Sequence, residues 1–292
     1  MPDNSSKLVL GTAQFGSNYG IKNYRGRIPK DEVFSIIETA IHSGSLVFDT
    51  SPLYGDAEVV LGDYIRQNGD LLIISKLQKC SIYNATIFFK QTFDVLGVSS
   101  LYAYLLHDFS AYLEDSNIWN FMLDLRKSHK AKKIGFSLYH PEEIDILLRN
   151  NVDFDIVQVP YSLFDRRFEK YFKILKDKNV EIHVRSIFLQ GLLLFEPENL
   201  PQKFLSVKSK LVKLRGIASK YSTTLTSLCL NLALDSSYIN KIIVGVDSKE
   251  NFDCILKDVS TCINLSKEDK EEIDCLREEN ESIILPYKWS KI

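Results

Sequence analysis

The chain has 292 residues, is 45% hydrophobic and carries a formal net charge of −2, so it can bury a full core as one large domain or two small ones. Its 36 Lys and Arg nearly balance 38 Asp and Glu, which excludes an overall basic field for holding a nucleic acid. The polar start Met1-Pro-Asp-Asn-Ser-Ser6 lacks the charged-then-apolar order of a signal peptide, and no apolar run reaches membrane-spanning length, so the expectation is a soluble cytoplasmic protein.

In chain order, Lys7 to Gly11 reads as a short strand, and Thr12 to Arg27 as a loop long enough to be functional. Pro29 opens a helix whose apolar positions Val33, Phe34, Ile36, Ile37, Ala40 and Ile41 fall on a helical face, ending at Gly44. The run from Leu46 to Asp49 is a strand buried on both faces, stopped by Thr50-Ser51-Pro52. The alternation then continues. Helices are predicted over Asp56 to Gln67, Tyr83 to Leu96, Asp115 to His129, Pro141 to Arg149 and Phe164 to Lys178. Between them fall strands over Leu71 to Lys76, Leu101 to His107, Lys132 to Ser137, Phe154 to Val159 and Val180 to Ser186. Two helices, Ser206 to Lys220 and Thr224 to Leu234, precede an eighth strand, Lys241 to Val244. Helices from Lys249 and over Ser266 to Glu279 lead to the tail Ile283 to Ser290.

Eight short apolar strands alternating with helices predict an α/β fold, a parallel (β/α)8 TIM barrel with an extra C-terminal helix and tail; a doubly wound sheet is the rival. No composition shift or Pro/Ser-rich linker divides the chain, so residues 1–292 are expected to form one domain.

In a barrel enzyme the polar residues that end the strands project into the mouth. Here these are Asp49, Lys76, His107 and Ser137, with Gln158 inside strand six and Arg185 and Ser186 closing strand seven. Each has an ordinary reading when taken alone. Asp49 could begin an Asx-type turn with Tyr54 packed under a loop, and His107 could be a satisfied core residue. Lys76 could run its ammonium outward, although an ammonium in so apolar a setting calls for a partner such as Asp49.

Other chemistries lack support. His42, His107, His129, His140 and His183 show no metal-ligand spacing, and the five cysteines (Cys80, Cys229, Cys254, Cys262, Cys275) form no Cys-x-x-Cys pair and fit reduced structural thiols. There is no Gly-x-Ser-x-Gly, Gly-x-Gly-x-x-Gly or Gly-x-x-x-x-Gly-Lys.

Asp49, Tyr54, Lys76 and His107 lie at or just beyond successive strand ends, and as a set they resemble the tetrad of the aldo-keto reductase family. The likeness runs in order through Leu8-Val-Leu-Gly-Thr-Ala-Gln-Phe-Gly16, Phe48-Asp-Thr-Ser-Pro-Leu-Tyr-Gly55, Ile74-Ser-Lys76 and Leu105-Leu-His-Asp108. It continues through Lys133-Ile-Gly-Phe-Ser137, Val157-Gln-Val-Pro-Tyr161, Gly191-Leu-Leu193 and Ile242-Ile-Val-Gly245.

The resemblance implies a barrel that binds NADPH, or alternatively NADH, at its mouth and reduces an aldehyde or ketone. Tyr54 would be the proton donor. Lys76, oriented by Asp49, would lower its pKa, and His107 would position the carbonyl. By the same likeness Ser137 and Gln158 would hold the nicotinamide carboxamide, and the stretch from Ser186 to Gly191 would approach the pyrophosphate. Gly245, Val246, Ser248, Lys249 and Asn251 would line the adenosine end, where a helix start favours phosphate.

Several positions depart from the family pattern. Leu138 stands where many relatives have Asn. Arg185 replaces a stacking aromatic and would stack on the ring or meet a phosphate. Lys249 is the only base near the adenosine end. The N-terminus is too short for the hairpin that plugs many barrel floors, leaving closure to Met1 to Ser6 or to other residues.

Phe15, Tyr19, Tyr24, Tyr139 and Trp289 could surround a small carbonyl substrate at the mouth, or merely pack the loops. Gly11-Thr-Ala-Gln-Phe-Gly16 and Arg185-Ser-Ile-Phe-Leu-Gln-Gly191 are similar to bacterial family members found with surface-sugar biosynthesis, which implies a keto-sugar or sugar-nucleotide substrate. A cofactor-binding redox-sensing or regulatory subunit with little turnover is the alternative, against which the intact tetrad argues. A barrel isomerase or lyase without nicotinamide is the third reading. The sequence does not define an oligomeric state.

Overall fold

In the computed structural model, which describes residues 4–289, the short apolar runs become strands buried on both faces. They are β1 (Leu8–Gly11), β2 (Val47–Asp49), β3 (Leu72–Leu77), β4 (Leu101–Leu106), β5 (Ala131–Ser137), β6 (Ile156–Pro160), β7 (Glu181–Arg185) and β8 (Lys241–Gly245). All pair in parallel with their sequence neighbours, and β8 returns to β1 to close the barrel. The fold is a (β/α)8 barrel with additional C-terminal helices, as the alternation predicts.

The helices are α1 (Ala13–Gly16), α2 (Lys30–His42), α3 (Ala57–Asn68), α4 (Ile82–Leu96), α5 (Ser110–Glu114), α6 (Ile118–Lys127) and α7 (Glu142–Arg149). They continue with α8 (Glu169–Asp177), α9 (Lys208–Lys220), α10 (Leu225–Leu234), α11 (Lys249–Val259), α12 (Lys267–Cys275) and α13 (Glu281–Ile284). Their buried faces follow helical spacing, as with Val33, Ile36, Ile37 and Ala40 of α2. The side-chain oxygens of Thr224, Ser248 and Ser266 accept the N–H groups of Ser227, Asn251 and Asp269 and so start α10, α11 and α12. No helix among the described residues is long and apolar enough to cross a membrane.

Local polar chemistry moves several boundaries from their predicted positions. The helix expected from Asp115 to His129 is α6, which begins at Ile118 because Asp115 Oδ1 accepts from Asn117 N at 3.0 Å in a turn; the short α5 before it was not expected. α8 begins later than Phe164 because Ser162 Oγ takes the N–H groups of Phe164 and Asp165 in a turn. The loop after β1 contains the short helix α1, and α12 stops at Cys275 rather than Glu279.

Inside the barrel, Val9, Val47, Ile74, Ala103, Leu105, Ile156 and Ile243 pack as a small apolar cluster separate from the larger layer between sheet and helices. Towards the floor the interior is polar. Tyr102 Oη donates to Glu181 at 3.0 Å, Lys133 pairs with Glu181, and fully buried His183 meets the same carboxylate at 3.2 Å. This cluster stands at the floor end, together with a 3-10 turn, Asn4–Lys7, whose Ser6 carbonyl accepts from Lys241 at 2.6 Å. Met1 to Asp3, the rest of the expected N-terminal closure, lie outside the described residues.

Two close approaches fix the mouth. A Cβ on Gly16 would lie 1.9 Å from the Tyr54 carbonyl oxygen and 2.3 Å from Ala57 N, so only glycine lets α1 sit against the start of α3. Behind β3, buried Glu58 accepts from Ser75 Oγ at 2.6 Å. Burial raises its carboxyl to about 7, opposed by the Ser75 hydrogen bond and the Lys76 charge.

Gly16→Ala is expected to cost about 1–3 kcal/mol in urea denaturation, as overpacking against backbone does; an unchanged midpoint would contradict the contact. Glu58 binds its proton more tightly folded than unfolded. Its contribution is therefore full below pH 4.5 and is lost as pH rises through about 7. Buried His107, depressed to about 3, works the other way below its ordinary 6.5. The Glu58 effect is thus read as a difference: wild type should lose stability relative to Glu58→Gln between pH 4.5 and 7, and parallel pH curves would refute it.

Candidate active site

A cavity of about 470 Å³ opens where the carboxyl ends of the strands converge, lined by Asp49, His107, Ser137, Gln158, Arg185 and Gly245 among others. β2 and β3 place Asp49 beside Ile74, so the inward side chains of Asp49 and Lys76 meet one layer above the apolar interior. Lys76 has no solvent exposure. Its Nζ donates to Asp49 Oδ1 at 2.7 Å, to the Thr50 carbonyl at 2.9 Å and to Tyr54 Oη at 3.3 Å. These three bonds use every N–H of the ammonium. The other Asp49 oxygen accepts from Gln158 Nε2 at 2.7 Å, and Thr12 holds the Asp49 carbonyl through both its N–H and its hydroxyl at 3.0 Å.

Because Tyr54 Oη accepts from Lys76, its own proton is free to point elsewhere. Burial pushes the Tyr54 phenol well above its ordinary pKa, the Asp49 charge adds to this, and Arg185 opposes it. The expected lowering of the Tyr54 pKa is not seen here: desolvation, followed by the Asp49 charge, moves it upward. Burial likewise draws Lys76 below its usual range, with Asp49 acting against it.

His107 lies edge-on to Tyr54, with ring centres 5.9 Å apart. Burial and the charges of Lys76 and Arg185 push it down to about 3, so it is neutral at ordinary pH. Ser51 Oγ accepts from Leu53 N at 3.2 Å and lies 3.0 Å from His107 Nδ1. If the Ser51 hydroxyl donates to Nδ1, the ring proton sits on Nε2 and is available as a donor.

The remaining predicted residues divide. Tyr19, Tyr139, Ser137, Gln158, Arg185, Ser186, Gly191, Gly245 and Asn251 line the cavity, and Lys76 stands directly behind it. Phe15, Tyr24 and Trp289 do not. Phe15 is fully buried in the core, and Tyr24 is 82% exposed. Trp289 packs on Phe204 at 4.8 Å and donates to the Ile283 carbonyl.

Three of the adenosine-end residues also serve structure rather than the cavity. Val246 is buried, and Ser248 caps α11. Lys249 pairs with Asp253 at 2.9 Å, while its backbone N–H donates to Glu32, which Arg25 grips with two nitrogens. A carboxylate thus already occupies that helix start.

Several lining residues were not predicted. Gln14, Lys22, Asn23, Asp247 and Tyr287 all reach the cavity, and Phe188 and Gln190 do so within the stretch expected at the pyrophosphate. Gln14 sits three residues beyond β1, and its position just past a strand end was the available signal; the others depend on loop paths. Ser186, Leu189, Gln190 and Gly191 all adopt left-handed backbone, with φ of 62°, 49°, 51° and 95°. Such a run in non-glycine residues stores strain of the kind found at ligand clamps.

Two features fit a bound dinucleotide. Gln14 Oε1 is buried without a hydrogen-bond partner and faces the cavity. A Cβ on Gly245 would come within 3.0 Å of that same amide, so the groove there is shaped by the lack of a side chain. Among the described residues no cluster of His, Cys, Asp and Glu is arranged to hold a metal ion.

Comparison with known proteins agrees with this geometry. Among curated proteins no sequence matches the chain. Among solved structures, aldo-keto reductase AKR11C1 from Bacillus halodurans in its holo form is 18% identical, with a TM-score of 0.75 over 93% of this chain and 92% of that one. A variant of Gox0644 in complex with NADPH is 18% identical, with a TM-score of 0.70 over 98% and 94%. PA4992 of Pseudomonas aeruginosa, described as an aldo-keto reductase, is 19% identical with a TM-score of 0.67 over 87% and 89%. At these identities the likeness bears on the fold. The model of the Aldo/keto reductase family matches residues 7–278, and the chain belongs to that family.

Proposed function

We propose that the protein reduces the carbonyl of an aldehyde or ketone with NADPH, using Tyr54 as the proton donor. The observation that carries this reading is the triple hydrogen bond of buried Lys76 to Asp49, Thr50 and Tyr54 beneath an open cavity. When bound, the nicotinamide supplies the hydride. The oxygen of the substrate then gathers negative charge, and the Tyr54 hydroxyl delivers its proton there. Lys76 donates to the oxygen left behind and stabilises the phenolate, while Asp49 and Gln158 hold the ammonium in place. His107, neutral at ordinary pH, is the hydrogen-bond donor that orients the carbonyl.

Ser137, the amide of Gln14, the backbone from Ser186 to Gly191, Gly245 and Asn251 are the groups proposed to hold the dinucleotide. Gln158 is assigned instead to Asp49, which it touches directly. At that end Lys249 is paired with Asp253 and Arg25 with Glu32, whose carboxylate stands at the start of α11. The likeness of Gly11 to Gly16 and of Arg185 to Gly191 to family members found with surface-sugar biosynthesis supports a keto-sugar or sugar nucleotide as substrate and a place in carbohydrate metabolism, and a cytoplasmic setting is proposed with it.

Titration with NADPH and NADH, followed by protein fluorescence, should show saturable binding, with NADPH the tighter. Tyr54→Phe should lower carbonyl turnover by about a hundredfold to ten-thousandfold, with little change in NADPH affinity. Lys76→Met should lose nearly as much, since the two residues act as a unit. Retained turnover in Tyr54→Phe would overturn the assignment.

A further inference from the structure

We propose that Arg185 recognises an anionic substituent, a carboxylate or a phosphate, on the carbonyl substrate. The inference rests on the reductase reading and adds the substrate's charge to it.

Position comes first. Glu181, His183 and Arg185 alternate along β7 with Ile182 and Val184, which belong to the outer apolar layer, so the three polar side chains face the barrel interior. His183 is paired in register with Gln158, the residue that holds Asp49. Arg185 therefore stands one interior step nearer the mouth than the layer supporting Lys76, and it lines the cavity.

Its contacts include no carboxylate: half-buried Glu143, which feels its charge, accepts from the Tyr139 and His140 N–H groups instead. The guanidinium lies flat enough on Tyr139 to approach the ring centre to 4.1 Å. It donates to the Leu138 carbonyl at 2.9 Å and reaches Ser186 Oγ at 3.5 Å. Both acceptors are neutral, and among the described residues no carboxylate lies within ion-pair distance of it. Asp49, the acid of the central site, is committed to Lys76 and Gln158. A half-buried guanidinium fixed by an aromatic face and a carbonyl, with the rest of its donor fork unspent, is prepared for an oxyanion.

The anion belongs to the molecule that carries the carbonyl because Arg185 lines the same cavity as Tyr54 and His107, one interior step above the layer that supports Lys76. A second lining cation, Lys22, lies elsewhere. Its side chain packs against Gly191 and its Nζ donates to the Leu194 carbonyl at 2.8 Å, beside the segment proposed for the cofactor's phosphates. One cation thus serves each end of the cavity.

The test compares 4-oxobutanoate with its neutral methyl ester, and glyceraldehyde 3-phosphate with glyceraldehyde, using wild type, Arg185→Met and Arg185→Lys with NADPH. Wild type should prefer at least one anionic member by about tenfold or more in kcat/KM, the scale of one charge-assisted contact. The carboxylate and phosphate pairs tell which anion is taken. In Arg185→Met that ratio should collapse towards one through a higher KM for the anion, and Arg185→Lys should recover part of it. A wild-type ratio near one for both pairs would overturn the proposal. So would an Arg185→Met variant that keeps the ratio but binds NADPH tenfold more weakly, since the guanidinium would then serve the cofactor. Binding of 4-hydroxybutanoate to the NADPH complex, read by fluorescence, needs no turnover: binding lost in Arg185→Met supports the anion site even if no probe is reduced, and equal binding by both refutes it. Failure of all carbonyl reduction counts against the reductase reading alone.

Discussion

An ammonium without solvent contact is held inside the barrel at Lys76, and the arrangement of the mouth depends on keeping its charge there. An isolated charge would be expelled or neutralised at a cost of several kcal/mol. Asp49 supplies the countercharge, the Thr50 carbonyl and Tyr54 oxygen take the remaining donors, and Gln158 satisfies the free carboxylate oxygen. Thr12, just past the end of β1, then fixes the Asp49 backbone. Strands β2, β3 and β6 and the loops after β1 and β2 thus meet around one nitrogen, so the position of the Tyr54 hydroxyl is set by the closed barrel as well as by its own loop.

Around this fixed centre the walls are built differently. The stretch from Ser186 to Gly191 holds four residues in left-handed backbone, and Gly16 allows α1 to press against the Tyr54 carbonyl. Each is a local conformational cost accepted where backbone must approach a ligand or a catalytic loop. Arg185 contrasts with Lys76. Both are interior cations, yet one is fully compensated by the protein and the other meets only neutral oxygens and a ring. In the proposed reaction the first stabilises a charge created by chemistry, and the second a charge brought by the substrate.

The strands were legible because a parallel strand buried on both faces reads as an unbroken apolar run, and β2 to β8 fall where such runs do. Asp49, Lys76 and His107 were legible because strand ends converge whatever the loops do, and Tyr54, on the loop after β2, joined them through the resemblance to the family tetrad. Loop residues were not. Phe15 and Tyr19 lie four residues apart in one segment, yet one is core and the other lines the cavity, because α1 turns the chain between them. Lys249 looked like a phosphate ligand in sequence, but Asp253 one helical turn away claims its ammonium and distant Glu32 claims its N–H. Tyr287 reaches the cavity only because the tail folds back to Tyr139, with ring centres 4.9 Å apart. The Glu32 and Tyr287 contacts span much of the chain, and no local pattern records them.

The central claim is that this constellation passes a hydride from nicotinamide to a carbonyl carbon. The most direct measurement incubates the protein with NADPH deuterated at C4 and an aromatic aldehyde, and follows the label by mass spectrometry. Deuterium on the carbinol carbon of the product, delivered from one face of the nicotinamide only, is the result predicted. Cofactor that binds but yields no labelled alcohol with any carbonyl probe would contradict the account.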